Sequence, residues 1–146
     1  MKNNKTVTKV TVGKNVTSIG SNAFSGCSGF EGKLTLPEGI TDIAYASFSG
    51  CSGLTGELVI PKSVTAIEAL AFKKCSGFTG SLVLPEGLTK IGETAFQDCT
   101  GFDGSLMLPS TLTELEEDAF QNITGFQRIV NPTGISYKLP EVEGYR

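Results

Sequence analysis

The chain has 146 residues and a formal net charge of −3, and 39% of its residues are apolar while 18% are charged. These values are typical of a folded protein and argue against a disordered chain. No apolar run reaches the length of a membrane-spanning helix, and the basic residues are spread too evenly to form a nucleic-acid-binding patch. We therefore expect no membrane insertion and no nucleic acid partner.

The chain begins with Met-Lys-Asn-Asn-Lys and continues with alternating Thr and Val, which is unlike the apolar core of a signal peptide. Either the protein is intracellular or its targeting segment was removed. We also expect that the chain is a segment of a longer protein, because neither end carries an obvious polar cap.

Five phenylalanines recur at intervals of 24 residues, and a cysteine follows each of the first four after three residues: Phe24, Phe48, Phe72, Phe96 and Phe120, with Cys27, Cys51, Cys75 and Cys99. A fixed period of this length indicates a solenoid, in which each unit buries its apolar face only against its neighbours. The sequence predicts a solenoid over residues 1–132, with about five 24-residue units and shorter end units.

Each full unit begins with a short alternating segment that ends at proline. The segments are Leu34–Pro37, Leu58–Pro61, Leu82–Pro85 and Leu106–Pro109. Because strand side chains alternate, the outer two residues of each triplet face the core and the middle residue faces away from it. Proline lacks a donor N–H, so it belongs where the ladder of hydrogen bonds ends.

Two apolar residues spaced by three follow each strand, as Ile40 and Ile43 do, with a threonine after the first. This spacing fits either a bent extended segment or a single helical turn, and we favour the extended form. The Ala-Phe or Ser-Phe pair before the cysteine then predicts a turn or a short 3₁₀ piece on the far side of the coil. A Ser-Gly or Thr-Gly pair reverses the chain toward the next strand.

The repeated threonine forms a further column through the units: Thr17, Thr41, Thr65, Thr89 and Thr113. Its identity in every unit favours a structural role over recognition. We predict hydroxyl-to-backbone hydrogen bonds along the stack or β-branched packing on a small sheet.

The four cysteines are predicted to be buried and reduced. Stacked coils place equivalent residues about 4.8 Å apart with parallel side chains, whereas a disulfide needs Cβ atoms that are closer and turned toward each other. A straight row of thiols in a chain without histidine does not converge on a tetrahedral zinc ion either.

The order Leu-x-Leu-Pro, apolar-Thr, Ile, Ala-Phe and Cys, as in residues 82–99, resembles the BspA-like class of leucine-rich repeats in bacterial surface proteins. The resemblance extends over residues 7–132. It implies an α/β-type, β-rich, right-handed leucine-rich-repeat coil, with a parallel sheet on one face and irregular or 3₁₀ segments on the other. It also implies an extracellular or cell-surface location, and for several members adhesion to host matrix proteins or to other bacteria.

Catalysis is not expected, since the chain has no histidine and no hydroxyl nucleophile has a visible base. The acidic cluster Glu114, Glu116, Glu117 and Asp118 is predicted to be a solvated face, with a calcium site or a catalytic pair as the alternative. We therefore expect no cofactor, no metal and no catalytic residues.

The middle residues of the strands form a stripe that becomes apolar toward the C-terminal half, and residues beside it change from unit to unit. The candidate partner-binding residues are Thr35, Val59, Val83, Met107, Val130, Lys33 and Glu57. Exposed apolar residues in succession suggest a contact site, although Val and Thr also simply suit a parallel sheet.

These observations predict a non-enzymatic adhesion module that binds a host matrix protein or a glycan through the strand face. The alternative is a structural spacer or self-associating stalk, with homo-association through the solenoid ends. Residues 133–146 are predicted to be a partial C-terminal cap or a linker.

Overall fold

The computed structural model describes residues 1–135 and 138–140. Within these ranges the regular structure consists of short strands without any helix, so no described segment could cross a bilayer as a helix. In chain order the strands are β1 (Asp42–Ile43), β2 (Ala66–Ile67), β3 (Gly80–Val83), β4 (Lys90–Ile91), β5 (Phe102–Met107), β6 (Glu114–Leu115) and β7 (Arg128–Val130).

The strands form two parallel sheets because equivalent residues of successive coils pair. One sheet has the order β3-β5-β7, in which β3 and β5 contain residues of the third and fourth Leu-x-Leu triplets. The strands predicted for the first two triplets do not form as regular strands, and of their middle residues Val59 alone makes a bridge, to Val83. The other has the order β1-β2-β4-β6, and its first two strands pair Asp42 with Ala66 and Ile43 with Ile67. The apolar-Thr segment is therefore extended, as predicted, and it forms a second sheet beside the threonine column, which agrees with the small sheet that the sequence offered as one possibility.

The three-stranded sheet contains an irregularity at Gly80, which lies two residues before the Leu82–Leu84 triplet. Gly80 pairs with Phe102, whereas Leu82 pairs with Leu106, so the register shifts between them. Gly80 has a φ of 75°, which glycine adopts without strain. This bulge lets the chain turn the corner into the strand while both leucines remain buried.

The far side of the coil is irregular, as predicted, and its backbone N–H groups alternate between two kinds of partner. The backbone N–H of Ser47 donates to the carbonyl oxygen of Ala44 in a four-residue turn, while that of the next residue, Phe48, donates to the carbonyl oxygen of Ala71 in the following coil. The alternation requires left-handed backbone even at side chains that disfavour it, such as Leu70 with a φ of 61° and Thr94 with 54°.

The core is built from columns of identical residues. Successive rings of the column Phe24, Phe48, Phe72, Phe96 and Phe120 are stacked, with centroids 5.5 or 5.6 Å apart. A second stack contains Phe78, Phe102 and Phe126. Offset stacking adds to the free energy gained by burying each ring, so every coil depends on both neighbours.

The four cysteines are buried and free, and the buried position agrees with the prediction. Each thiol donates a hydrogen bond along the stack, as Cys75 Sγ does to the carbonyl oxygen of Phe48 at 3.0 Å. Burial raises the pKa of Cys51 and Cys99 from the ordinary 9.0 to about 12. The thiols therefore stay protonated and act as small apolar side chains with one donor.

Threonine hydroxyls bond to the backbone along the stack, as predicted. Thr65 Oγ1 donates to Thr41 O at 3.2 Å, and Thr89 Oγ1 donates to Thr65 O at 3.1 Å. The same carbonyl oxygens also accept the backbone N–H groups of these threonines. The column thus adds hydroxyl donors to the ladder of the second sheet.

A different set of hydroxyls clips coils together in pairs. Ser63 Oγ donates to Ile40 O at 2.7 Å and accepts from Gly39 N at 3.1 Å. Two coils later, Thr111 Oγ1 makes the same two bonds to Leu88 O and Gly87 N. The position equivalent to these residues thus alternates between glycine and a hydroxyl residue. These hydroxyl bonds, which we call clips, therefore occur at every second interface between coils.

The two ends of the stack differ from its middle. In the first coil Val16, Ile19 and Phe24 are only half-buried, and a depression of about 280 Å³ opens beside them. At the other end Ile135 and Leu139 pack against the core. The cap or linker predicted for residues 133–146 falls partly outside the described residues, namely at 136–137 and 141–146.

Candidate functional site: the strand face

The strand face presents a row of exposed side chains, one from each coil. Val59 bridges to Val83, which pairs in register with Met107 of β5. Their exposed fractions are 49%, 48% and 39%, whereas the leucine or isoleucine on either side of each is buried. Because strand side chains alternate, burying these neighbours obliges the three apolar residues to face water.

The row ends in less apolar or less exposed residues. Thr35 continues it toward the N-terminus and is exposed, while Val130 of β7 pairs with Met107 and is half-buried. We call Thr35, Val59, Val83, Met107 and Val130 the apolar row. The outward position predicted for its middle members is confirmed, but Val130 offers less surface to a partner than the sequence suggested.

Two depressions lie along the apolar row. The larger, of about 600 Å³, is lined by Glu57, Val59, Lys62, Val83, Pro85 and Glu86, together with backbone-neighbouring Leu58 and Ile60. The smaller, of about 190 Å³, includes Lys33, Thr35, Glu38 and Val59. The structure therefore brings the predicted residues Lys33, Glu57 and the N-terminal part of the apolar row onto one continuous surface.

The rim of this surface is charged. The Glu86 carboxylate accepts two hydrogen bonds from Ser110, one from the backbone N–H at 3.1 Å and one from the hydroxyl at 2.8 Å, and these bonds lower the pKa of Glu86. Lys62 and Glu86 follow the proline of their units and, like Lys33 and Glu57, belong to positions that vary between units while the core does not. The sequence therefore marks them, too, as positions for specificity.

A second exposed surface lies on the four-stranded sheet. A depression of about 390 Å³ there is lined by Tyr45, Glu68, Lys90, Glu93 and Glu116 among others, and Lys90 Nζ lies 2.9 Å from Glu68 Oε1. This ion pair raises the pKa of Lys90. One sign of this surface is visible in the sequence, since Tyr45 occupies a position that is small or acidic in other units.

The predicted acidic cluster is divided between elements. Glu114 belongs to β6 and is exposed, Glu116 lines the depression near Tyr45, and Glu117 pairs with Lys138 at 3.2 Å. In the part of the chain that the structure describes, no three potential ligands converge on a point where a metal ion could bind.

Sequence comparison identifies the repeat. Residues 2–127 match the BspA type leucine rich repeat region, in six copies. The chain belongs to the BspA-type leucine-rich repeat family. In this chain the BspA-type repeats form the short strands, the phenylalanine stack and the row of buried cysteines described above. No curated protein matches the sequence.

Solved structures of bacterial leucine-rich repeat proteins share this BspA-type coil. A leucine-rich repeat protein from T. pallidum has a TM-score of 0.72 and 27% identity, covering 81% of this chain and 53% of its own. One from Bacteroides ovatus has a TM-score of 0.67 and 26% identity over 86% of this chain and 38% of its own.

A leucine-rich cell surface protein from Faecalibacterium prausnitzii has a TM-score of 0.61 and 31% identity, covering 80% of this chain and 33% of its own. The chain therefore spans about a third to a half of these relatives.

Proposed function

We propose that this BspA-type repeat protein is a non-enzymatic recognition module of a bacterial cell surface, which binds a host matrix protein or a glycan through its strand face. The observation that carries the proposal is the run of three exposed apolar side chains, Val59, Val83 and Met107, within a charged rim. Exposed apolar residues that form a contiguous patch mark interaction sites more often than scattered ones do.

The architecture supports the same surface. Solenoids present a broad face whose core positions repeat while surface positions differ from coil to coil, and this variation allows each coil to contribute a separate contact. Here the flanking residues Lys33, Glu57 and Ser81 differ within one column. The surface location is inferred from the family and from the F. prausnitzii relative, which is described as a cell surface protein.

The test is binding of the purified chain to immobilised host matrix proteins and glycans. The variant V59K/V83K/M107K places three charges on the apolar row. The matched control T55K/T79K/Q127K adds the same charge at exposed residues that line neither depression of the strand face. All three proteins must first unfold at the same temperature.

We expect saturable binding by the parent and the control and its loss in the apolar-row variant. Equal binding by all three proteins would remove the strand face from the proposal. No binding by any of them, together with association that grows with concentration, would favour a spacer or self-associating stalk. The half-buried Val16, Ile19 and Phe24 of the first coil are the observation that supports this second candidate.

A further inference from the structure

The charges beside the apolar row are inverted between two consecutive coils. In one coil Lys33 precedes the outward-facing residue and Glu38 follows it, and in the next coil Glu57 precedes and Lys62 follows. All four side chains are exposed and line the two depressions of the strand face. Among the described residues the ion pairs within 4.0 Å lie elsewhere, so these charges are available to a partner.

We propose that the strand face pairs with the strand face of a second copy of this chain, about a twofold axis that runs along the solenoid stack. The inference goes beyond the proposed function, because it gives the same face a second partner, another copy of this chain. Such an axis places each coil opposite its own copy and reverses the strand direction. Lys33 then meets the partner's Glu38, and Glu57 meets the partner's Lys62.

Distances along the strand are consistent with this pairing. Lys33 lies two residues before Thr35 and Glu38 three residues after it. At about 3.3 Å per extended residue, Lys33 lies roughly 7 Å from the axis, and Glu38, in the turn after Pro37, lies no more than about 10 Å from it on the other side. Packed sheets usually rotate by about 30°, which displaces such positions by a few ångströms, and the long side chains can span that distance.

The same operation matches the apolar row to itself. Val59, Val83 and Met107 each meet their own copy, so the three most exposed residues of the row leave water together. Beyond them the flanking residues are neutral or already bonded, since Ser105 and Ser110 carry no charge and Glu86 is held by Ser110. No like charges are brought together in the coils of Val83 and Met107, and the like-charge contact of this arrangement, Lys9 with Lys14 of the second copy, lies one coil outside the apolar row.

A twofold axis along the strands is the other way to satisfy the inverted charges. It would pair Lys33 with the partner's Glu57, coil against the next coil. Val83 would then face the threonine of the first coil, and Met107 would extend past the end of the partner. The axis along the stack is preferred because it alone keeps the apolar row paired over its whole length.

The contact is small, so it is expected to be weak. Four coils at 4.8 Å and six residues at 3.3 Å give roughly 400 Å² per chain, which is below the standard interface size. Weak pairing of this kind becomes effective when many copies are held at one surface and their local concentration is high.

The test uses charge reversals that complement only across this axis. K33E alone and E38K alone each place like charges opposite each other, whereas an equimolar mixture restores both opposite-charge contacts. Sedimentation equilibrium at concentrations up to about 1 mM measures association in this weak range. We expect at least tenfold weaker association for each variant alone and recovery to the parent value in the mixture, with the exposed Lys74→Glu variant on the far side unchanged.

The other outcomes separate the two proposals. Recovery when K33E is mixed with E57K, in place of E38K, would establish the axis along the strands and overturn the inference. A parent chain that stays monomeric but binds an immobilised matrix protein or glycan through Val59, Val83 and Met107 would also overturn it, while leaving the proposed function standing. Association that survives V59K/V83K/M107K would show that copies meet through another surface.

Discussion

Replacing Phe72 with alanine should remove the central ring of the phenylalanine stack and destabilise the solenoid strongly. Phe72 is fully buried, stacks on Phe48 at 5.6 Å and on Phe96 at 5.5 Å, and meets the edge of Phe78 at 6.1 Å. Truncation therefore opens a cavity and breaks three aromatic contacts in one step.

The unfolding free energy should fall by about 4–5 kcal/mol, which is the upper end of the range for replacing a buried phenylalanine with alanine. Phe24 provides the comparison within the same column. It is half-buried and has one stacked neighbour, Phe48, so Phe24→Ala should cost about 1–2 kcal/mol. The difference of roughly 3 kcal/mol reflects the position of each ring in the stack.

Urea unfolding of the parent, Phe72→Ala, Phe24→Ala and Phe72→Leu measures these values. Phe72→Leu retains apolar volume but removes the stacked ring, so it should lie between the parent and Phe72→Ala. An equal loss of stability for Phe24→Ala and Phe72→Ala would refute the reasoning, because it would show that stability does not depend on contacts between adjacent coils.

Three further changes test other columns of the stack. Burial raises the pKa of Cys51 and Cys99 from 9.0 to about 12, so above pH 9 the folded state keeps protons that the unfolded state releases. The unfolding free energy should therefore be unaffected by these thiols below pH 9 and fall by about 1.4 kcal/mol per pH unit for each thiol between pH 9 and about 12. Urea titrations at several pH values should show a shallower slope for C51A/C99A. Lys74 has a φ of 65°, and the equivalent residue of the previous coil is Gly50, with a φ of 79°. Because glycine adopts such a φ without strain, Lys74→Gly should raise the unfolding free energy by about 0.5–1 kcal/mol, and Gly50→Ala should lower it by a similar amount. Thr65→Ala should cost about 0.5–1 kcal/mol and Thr65→Val less, with binding by the strand face unchanged in both, as melting and binding assays of the same samples would show.

The sequence predicted those features that follow from period and alternation. Val59 and Val83 were expected to be exposed because core-facing leucines or isoleucine flank them, and the thiol of Cys75 was expected to be buried because cysteine recurs at this position in four consecutive units. Both follow from local geometry repeated at a fixed interval.

Other features depend on contacts between coils, and the sequence predicted them only in part or not at all. The second sheet was offered only as a small sheet at the threonine column, and its two-residue strands become recognisable only when Asp42 and Ala66 are placed side by side. The left-handed backbone at Leu70 contradicts the local preference of that residue and is held by hydrogen bonds to the next coil, such as that from Leu70 N to Glu93 O. Local propensity carries no signal for either.

The alternation of glycine and hydroxyl at residues 39, 63, 87 and 111 bears on how such a chain can change in length. Gly39 needs the hydroxyl of Ser63 above it, and Gly87 needs that of Thr111, so the structurally complete unit of growth is a 48-residue pair. Deleting or duplicating one 24-residue unit would leave a glycine without its acceptor or bring two hydroxyl residues together. Insertions and losses of two units would preserve every clip, so genes that encode such arrays are expected to lengthen and shorten in even steps.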